Sequence, residues 1–251
     1  MEKTIQDGLA ALNLADRVPP NAAAKLAEYG RMLLGQNRVM NLTAIRDEDG
    51  VAKLHMLDCA ALLTTPGLSL QGRMTLIDVG TGAGFPGMVL KILAPDLQVT
   101  LLDSLNKRLA WLEQVSGTLG LEGTSFVHAR AEEASHLQPY REQFDLAAAR
   151  AVASLRVLAE LCLPFVKTGG LFLAMKSIDC DAELDAAAPI IQTLGGAVET
   201  VFDYAIPSTD VRHRIIAVRK LSPSPEAFPR KWSRMQKEAA AKPPSSRHRD
   251  L

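Results

Sequence analysis

The 251-residue sequence predicts an α/β fold: a seven-stranded, mostly parallel sheet whose last strand is antiparallel, preceded by a helical segment. Three observations predict it. Between residues 74 and 194, short leucine- or β-branched-rich runs alternate with helical stretches, the pattern of repeated strand–helix–strand crossovers. A glycine-rich turn joins the first of those strands to the first of those helices. The last two runs, 197–206 and 212–221, are separated only by Pro207-Ser208-Thr209-Asp210, a connection suited to an antiparallel pair.

The elements follow in order. Residues 4–14 and 21–37 place Leu, Ala, Ile and Met at helical spacing, and Pro19-Pro20-Asn21 punctuates them and caps the second helix. Residues 50–64 read as a third helix. After Gly67 the period changes. Strands are expected at 74–79, 98–103, 124–129, 144–151 and 169–175, with helices from Pro86 to Leu93 and at 107–119, 154–166 and 181–194. The 144–151 run is alanine-rich, a poor strand former, so its assignment leans on its neighbours. The division expected is a helical segment at 1–66 packed on the core, a catalytic domain at 67–221, and a basic tail at 222–251 with little fixed structure.

Composition narrows the class. Apolar residues make up 47% and charged residues 22%, which excludes wholesale disorder, collagen and a coiled-coil rod. The apolar runs are too short and too interrupted by charge to span a bilayer, and the N-terminus has no signal core, so the expected setting is the cytoplasm. Cys59, Cys162 and Cys180 form neither a disulfide framework nor a metal knuckle. Helical spacing makes Cys162 a core residue rather than a nucleophile. Net charge is zero, yet residues 219–251 hold nine Lys/Arg against three acids, and a basic tail on an acidic body hints at nucleic acid.

The segment from Leu76 to Gly87 reads LIDVGTGAGFPG. Gly80, Gly82 and Gly84 permit a sharp turn and close approach of a ligand to the backbone, and Pro86 suits a first helical turn. The first strand-to-helix turn of a doubly wound sheet is where a nucleotide-like ligand sits. Asp78, an acid heading the turn, would repel a pyrophosphate but attract an ammonium or sulfonium. With the GxGxG spacing, this points to S-adenosylmethionine rather than a dinucleotide. Asp103, ending the second strand 21 residues past Gly82, suits the two ribose hydroxyls, its bland alternative being a helix cap. Ala131 and Glu132 follow the third strand, where an adenine edge would be read. His55 and Asp58 share one helix face without further metal ligands and read as a polar helix–sheet contact, so no metal is expected.

HMLDCAAL (55–62), DVGTGAGFPG (78–87), LLDSLNKRLAWLEQV (101–115), ARAEE (129–133), FDLAAARAVA (144–153) and LAMKS (173–177) occur in order. Together they resemble the bacterial 16S ribosomal RNA guanine-N7 methyltransferases, also called the glucose-inhibited division protein B or RsmG family. The resemblance spans about residues 41–219. It implies a class I, Rossmann-like, S-adenosylmethionine-dependent methyltransferase acting on one guanine of small-subunit ribosomal RNA. It places cofactor contacts at Gly80, Phe85, Ala131, Glu132 and Arg150; Asp78, Gly82 and Asp103 are added by the argument above. Arg150 is the expected catalytic residue. The sequence departs from the family's usual pattern at Cys59, Asn106, Ala149 and Ser177, none of them an expected cofactor contact.

Guanine N7 has a lone pair and no proton, so its methylation calls for alignment rather than a general base. Candidate contacts to the RNA are Arg46, Lys107, Arg108, Arg130, Lys176, Arg212 and Arg214. The expected partner is 16S ribosomal RNA or the small subunit, bound by a monomer. The alternatives are an NAD(P)-dependent oxidoreductase, which would carry a sixth parallel strand in place of the terminal strand pair, and a non-catalytic RNA-binding assembly factor.

Overall fold

In the computed structural model, which describes residues 1–150 and 153–240, the chain opens with three helical pieces. These are α1 (Glu2–Ala11), α2 (Ala22–Met40), and a continuous stretch at 48–64 made of α3 (Glu48–Val51), a π-helical turn (Ala52–Leu57), α4 (Asp58–Ala60) and a 3₁₀ turn (Ala61–Thr64). The alternating region follows: β1 (Thr75–Val79), α5 (Gly87–Leu93), β2 (Gln98–Asp103), α6 (Asn106–Leu119), β3 (Thr124–His128), α7 (Ala131–Ala134), β4 (Phe144–Arg150), α8 (Leu155–Cys162), β5 (Val166–Ser177) and α9 (Asp181–Thr193). β6 (Gly196–Ala205), β7 (Arg212–Lys220) and α10 (Trp232–Ala240) complete it.

The seven strands form one sheet in the order β3-β2-β1-β4-β5-β7-β6. All neighbours pair in parallel except β7, which runs antiparallel between β5 and β6. This is the expected class I methyltransferase sheet, and the terminal strand pair removes the oxidoreductase alternative. β4 forms despite its alanines because it lies between β1 and β5, where both faces are covered and small side chains let the layers close. Its register shifts between Phe144 and Leu146.

Strand alternation divides the core into two layers. Leu76, Leu146, Leu173 and Ile215 face one side, with Ile5, Leu26, Tyr29, Leu33 and Met56 from the N-terminal helices and Leu112 from α6 in the same buried cluster. Ile77, Ala147, Phe172 and Ile216 face the other, with Leu158 and Cys162 of α8, Ile190 of α9 and Met235 of α10. The helices at 1–64 are thus a covering layer of the sheet. This layer brings side chains from the first quarter of the chain to the C-terminal tips of the strands.

The expectation of an unstructured tail is corrected over 222–240; the remainder, 241–251, lies outside the described residues. Lys220 is fully buried, and its ammonium donates to the Leu163 carbonyl (2.8 Å) and Ser224 Oγ (2.6 Å) beside Glu142 (3.0 Å). Arg141 donates to the carbonyls of Ser224 and Phe228, both at 2.9 Å. Arg230 pairs with the buried Glu160 at 2.6 Å and with Glu238 at 2.7 Å. A segment rich in Pro, Ser and Arg is ordered here because its polar groups meet specific buried partners, which composition does not reveal. Truncation after Lys220 is therefore expected to destabilise the body, by about 2 kcal/mol or more from the loss of buried Met235 alone. Chemical unfolding of the truncated chain checks this. Removal of residues 241–251 leaves these ties intact.

Candidate functional site

β1 ends at Val79, and residues 80–86 turn back as a loop in which Gly80, Gly82 and Gly84 all have positive φ (72°, 59° and 91°). Asp78, fully buried under this loop, holds it: Oδ2 accepts from Thr81 Oγ1 (2.5 Å) and from the backbone N–H of Gly87 (2.8 Å). Its Oδ1 is buried without a partner among the described residues. Asp103, at the tip of β2, holds the other side, accepting from the Gly82 N–H (2.9 Å) and, through its second oxygen, from the Leu105 N–H (2.8 Å). From the covering layer, the Tyr29 hydroxyl donates to the Ala83 carbonyl and its ring packs 5.5 Å from that of Phe85.

The loop forms one wall of a cleft lined by Leu42, His55, Gly80, Gly82, Phe85, Asp103, Ser104, Arg108 and Arg150. Its volume of about 460 Å³ suits a ligand of nucleoside size. At Gly82 a Cβ would meet only the Gly80 carbonyl oxygen, at 3.9 Å, so the loop backbone is bare toward the cleft. A second cleft, lined by Leu54, His55, Asp58, Arg150, Met175, Lys176, Ser177 and His213, opens at the tips of β4, β5 and β7. The two clefts share His55 and Arg150.

A buried polar chain runs along this shared wall. The Arg150 guanidinium stands 4.7 Å over the Phe85 ring. It donates to Asp58 Oδ2 (2.9 Å), the Leu54 carbonyl (3.2 Å) and His55 Nδ1 (3.0 Å). A guanidinium only donates, so His55 carries its proton on Nε2 and gives it to Thr43 Oγ1 at 2.7 Å. Burial first, and then the Arg150 charge, lower the His55 pKa to about 4, leaving the ring neutral. Asp58 Oδ1 accepts from the Tyr204 hydroxyl (2.7 Å) and His213 Nδ1 (2.8 Å). Burial alone would raise the Asp58 pKa, but the hydrogen bond from His213, the Arg150 charge and the Tyr204 hydroxyl together hold it below the ordinary value. The expected polar helix–sheet contact at His55 and Asp58 is this network.

Asp78 behaves oppositely. Burial pushes its carboxyl up to about 6, against hydrogen bonds from Thr81 and Gly87 that lower it. Between about 3.9, the value of an unfolded chain, and this raised value, the folded protein binds the extra proton. Asp78 therefore stabilises least at neutral pH and more as pH falls through 6. Stability of the wild type relative to Asp78→Asn is expected to rise by about 2–3 kcal/mol from pH 7 to pH 4. Urea midpoints of both proteins across that range check it; a constant difference would refute it.

The structure brings Gly80, Gly82, Phe85, Asp103, Arg108 and Arg150 to one cleft. Ala131 and Glu132 begin α7 after β3, one strand beyond Asp103 and outside the cleft wall. Asp78 is sealed beneath the loop, so its direct attraction of a cationic ligand is replaced by a hold on the loop. Arg46, Lys107, Arg130 and Arg212 are exposed. Lys176 lines the second cleft and pairs with Glu183 at 2.7 Å. Arg214 is the one of these held by two carboxylates: alternation along β7 turns it toward α9, where it pairs with Asp203 (2.6 Å) and Asp181. Tyr29, Tyr204 and His213 escaped sequence reasoning because nothing local marks them; their partners lie 54, 146 and 155 residues away.

Residues 22–211 match the family described as "GidB: rRNA small subunit methyltransferase G". The chain is 44% identical over 227 residues to the Ribosomal RNA small subunit methyltransferase G of Alkaliphilus metalliredigens, covering 90% of this chain and 93% of that one. Among solved structures it is similar to the YcgJ protein from Bacillus subtilis (TM-score 0.52, 13% identity, 67% of this chain and 100% of that one). It is also similar to M. jannaschii TYW2 in complex with AdoMet (TM-score 0.50, 11% identity, 61% and 72%). At those identities the two structures speak for the fold alone.

Proposed function

The chain belongs to the rRNA small subunit methyltransferase G family, and on that premise we propose that it methylates N7 of one guanine in 16S ribosomal RNA, using S-adenosylmethionine. The observation that carries the site assignment is the meeting of two clefts at Arg150 and His55, one walled by bare glycine backbone and an anchored carboxylate, the other open to a second reactant. Bound in the first cleft, S-adenosylmethionine supplies an electrophilic methyl group on its sulfonium.

The residues present fit that group. The Gly80 and Gly82 backbone takes the amino-acid end, Asp103 the ribose hydroxyls, and Ala131 and Glu132 stand next along the sheet edge for the adenine. Asp78 acts through the loop rather than on the ligand. Arg150, fixed by Asp58 and stacked on Phe85, forms the wall between the clefts and is the residue proposed to bear on both reactants. Because N7 carries a free lone pair, the chain needs to orient rather than deprotonate its acceptor. The carboxylates and histidines of the site are already engaged by partners, which suits that task. Arg46, Lys107, Arg108, Arg130, Lys176 and Arg212 are the proposed phosphate contacts. The proposed state is a monomer. No described helix is long and apolar enough to cross a membrane. The proposed setting is the cytoplasm.

The test is methyl transfer from labelled S-adenosylmethionine to small subunits from cells lacking this gene, with naked ribosomal RNA in parallel. The label is then mapped by cleavage at N7-methylguanine. A single labelled guanine is expected. Cofactor binding without transfer would move the substrate elsewhere, and absence of both would overturn the reading.

A further inference from the structure

Resting on that reading, we propose that His213 is the specificity-determining residue that separates guanine from adenine in the second cleft, and that Asp58 is its positioning residue. Both purines offer a free N7, so the methylated atom cannot itself distinguish them. Discrimination needs a group on another edge of the base.

His213 is placed to supply it. β7 pairs it with Ser177 of β5 and Tyr204 of β6, and alternation sends its ring to the face covered by the N-terminal helices. There Asp58, 2% exposed, meets its Nδ1 at 2.8 Å. A carboxylate only accepts, so Nδ1 donates, and the neutral tautomer this selects has its lone pair on Nε2. Among the described residues no protein group bonds Nε2, and the side chain is 32% exposed where it lines the second cleft. A lone pair there accepts from guanine, whose N1–H and 2-amino group both donate. Against adenine it faces the lone pair of N1. Two acceptors opposed in a desolvated cleft cost far more than a lost contact, which is why a site built to pair with a donor rejects an analogue lacking it.

Asp58 is held in turn. Its other oxygen takes Arg150 from β4, and Tyr204 from β6 shares the oxygen used by His213. The charged and titratable groups facing His213 are therefore Asp58 from α4, Arg150 from β4, Tyr204 from β6, and His55 and Lys176 across the cleft. Arg150 already balances the Asp58 charge.

The test uses small subunits carrying guanine or adenine at the mapped position, with wild type, His213→Ala, His213→Gln and Asp58→Asn. Wild type is expected to favour guanine by about 10³-fold or more in kcat/KM. His213→Ala is expected to lose about 100-fold on guanine and to shrink the guanine-to-adenine ratio to about 10, with S-adenosylmethionine affinity within about twofold of wild type. His213→Gln, whose Oε1 accepts in place of Nε2, should recover about tenfold or more of that loss. Asp58→Asn should lose the same discrimination. A His213→Ala enzyme with wild-type rate and ratio overturns the inference, as does a His213→Gln enzyme no better on guanine than His213→Ala. If wild type itself transfers nothing to guanine, the functional reading fails instead.

Discussion

Replacing Gly87 with alanine is expected to cost about 3 kcal/mol of stability and to weaken cofactor binding at least about tenfold. A Cβ at this position would stand 2.5 Å from Leu101 Cδ2, 2.8 Å from Asp78 Oδ2 and 2.9 Å from Asp78 Cβ. Leu101 and Asp78 are both fully buried in the sheet, so neither can step aside. The start of α5 must then lift away from β1 and β2. That movement also stretches the Gly87 N–H bond to Asp78, one of the two ties by which Asp78 holds the glycine loop down. Stability and binding thus fail together. Gly35 in α2 and Gly117 in α6 are the internal controls, with nothing within 4 Å of the added carbon. Alanine at either should stabilise by about 0.5–1 kcal/mol through the helix preference alone. Urea unfolding and an S-adenosylmethionine titration of the three variants check this. A Gly87→Ala protein as stable and as tight-binding as wild type would refute the packing argument.

Arg150→Met is expected to destabilise by about 3–5 kcal/mol, because it leaves a buried carboxylate without its cation. The loss also strands the Leu54 carbonyl and His55 Nδ1, both of which accept from the guanidinium. Two signatures separate this from a simple packing defect. Adding Asp58→Asn to Arg150→Met removes the orphaned charge, so the double variant should be more stable than the single one. The pH dependence should also flatten. In the wild type the Asp58 pKa is depressed, so its contribution is present above the unfolded value and is lost as pH falls through the folded one. Without Arg150 one of the groups that lower it is gone, so the single variant should lose less stability than the wild type as pH falls from 7 toward 4. Denaturation at several pH values checks both signs. Methyl transfer by either variant should be lost, since Arg150 lines both clefts.

Much of the molecule was legible in its sequence, for identifiable reasons. The strands at 75–79 and 98–103 announce themselves by their apolar runs. The loop between β1 and α5 announces itself by glycines that do adopt positive φ. Asp103 could be placed because an acid at the end of the second strand has a defined distance from that loop. The antiparallel β7 followed from a connection too short for a crossover helix.

The tail shows where that reasoning stops. Arg230 and Lys220 look like any solvated basic residues in sequence, yet one neutralises Glu160 and the other is fully buried. Arg214 was an equally reasonable RNA contact until its strand face turned it to Asp203. Asp78 kept its importance but changed its role, since burial beneath the loop is a property of the packed layer and not of the motif.

What the sequence determined by itself is therefore the set of strands, their crossovers and the glycine turn, written in periodicities and spacings of neighbouring residues, and, through motifs that resemble it, the family. What only the tertiary structure decided is the wall between the clefts: Asp58, Arg150, Tyr204 and His213, together with Tyr29 over the glycine loop. These residues come from α4, β4, β6, β7 and α2. Their bonds depend on which face of each strand meets the covering helices, and that is settled only when the whole sheet closes over its core.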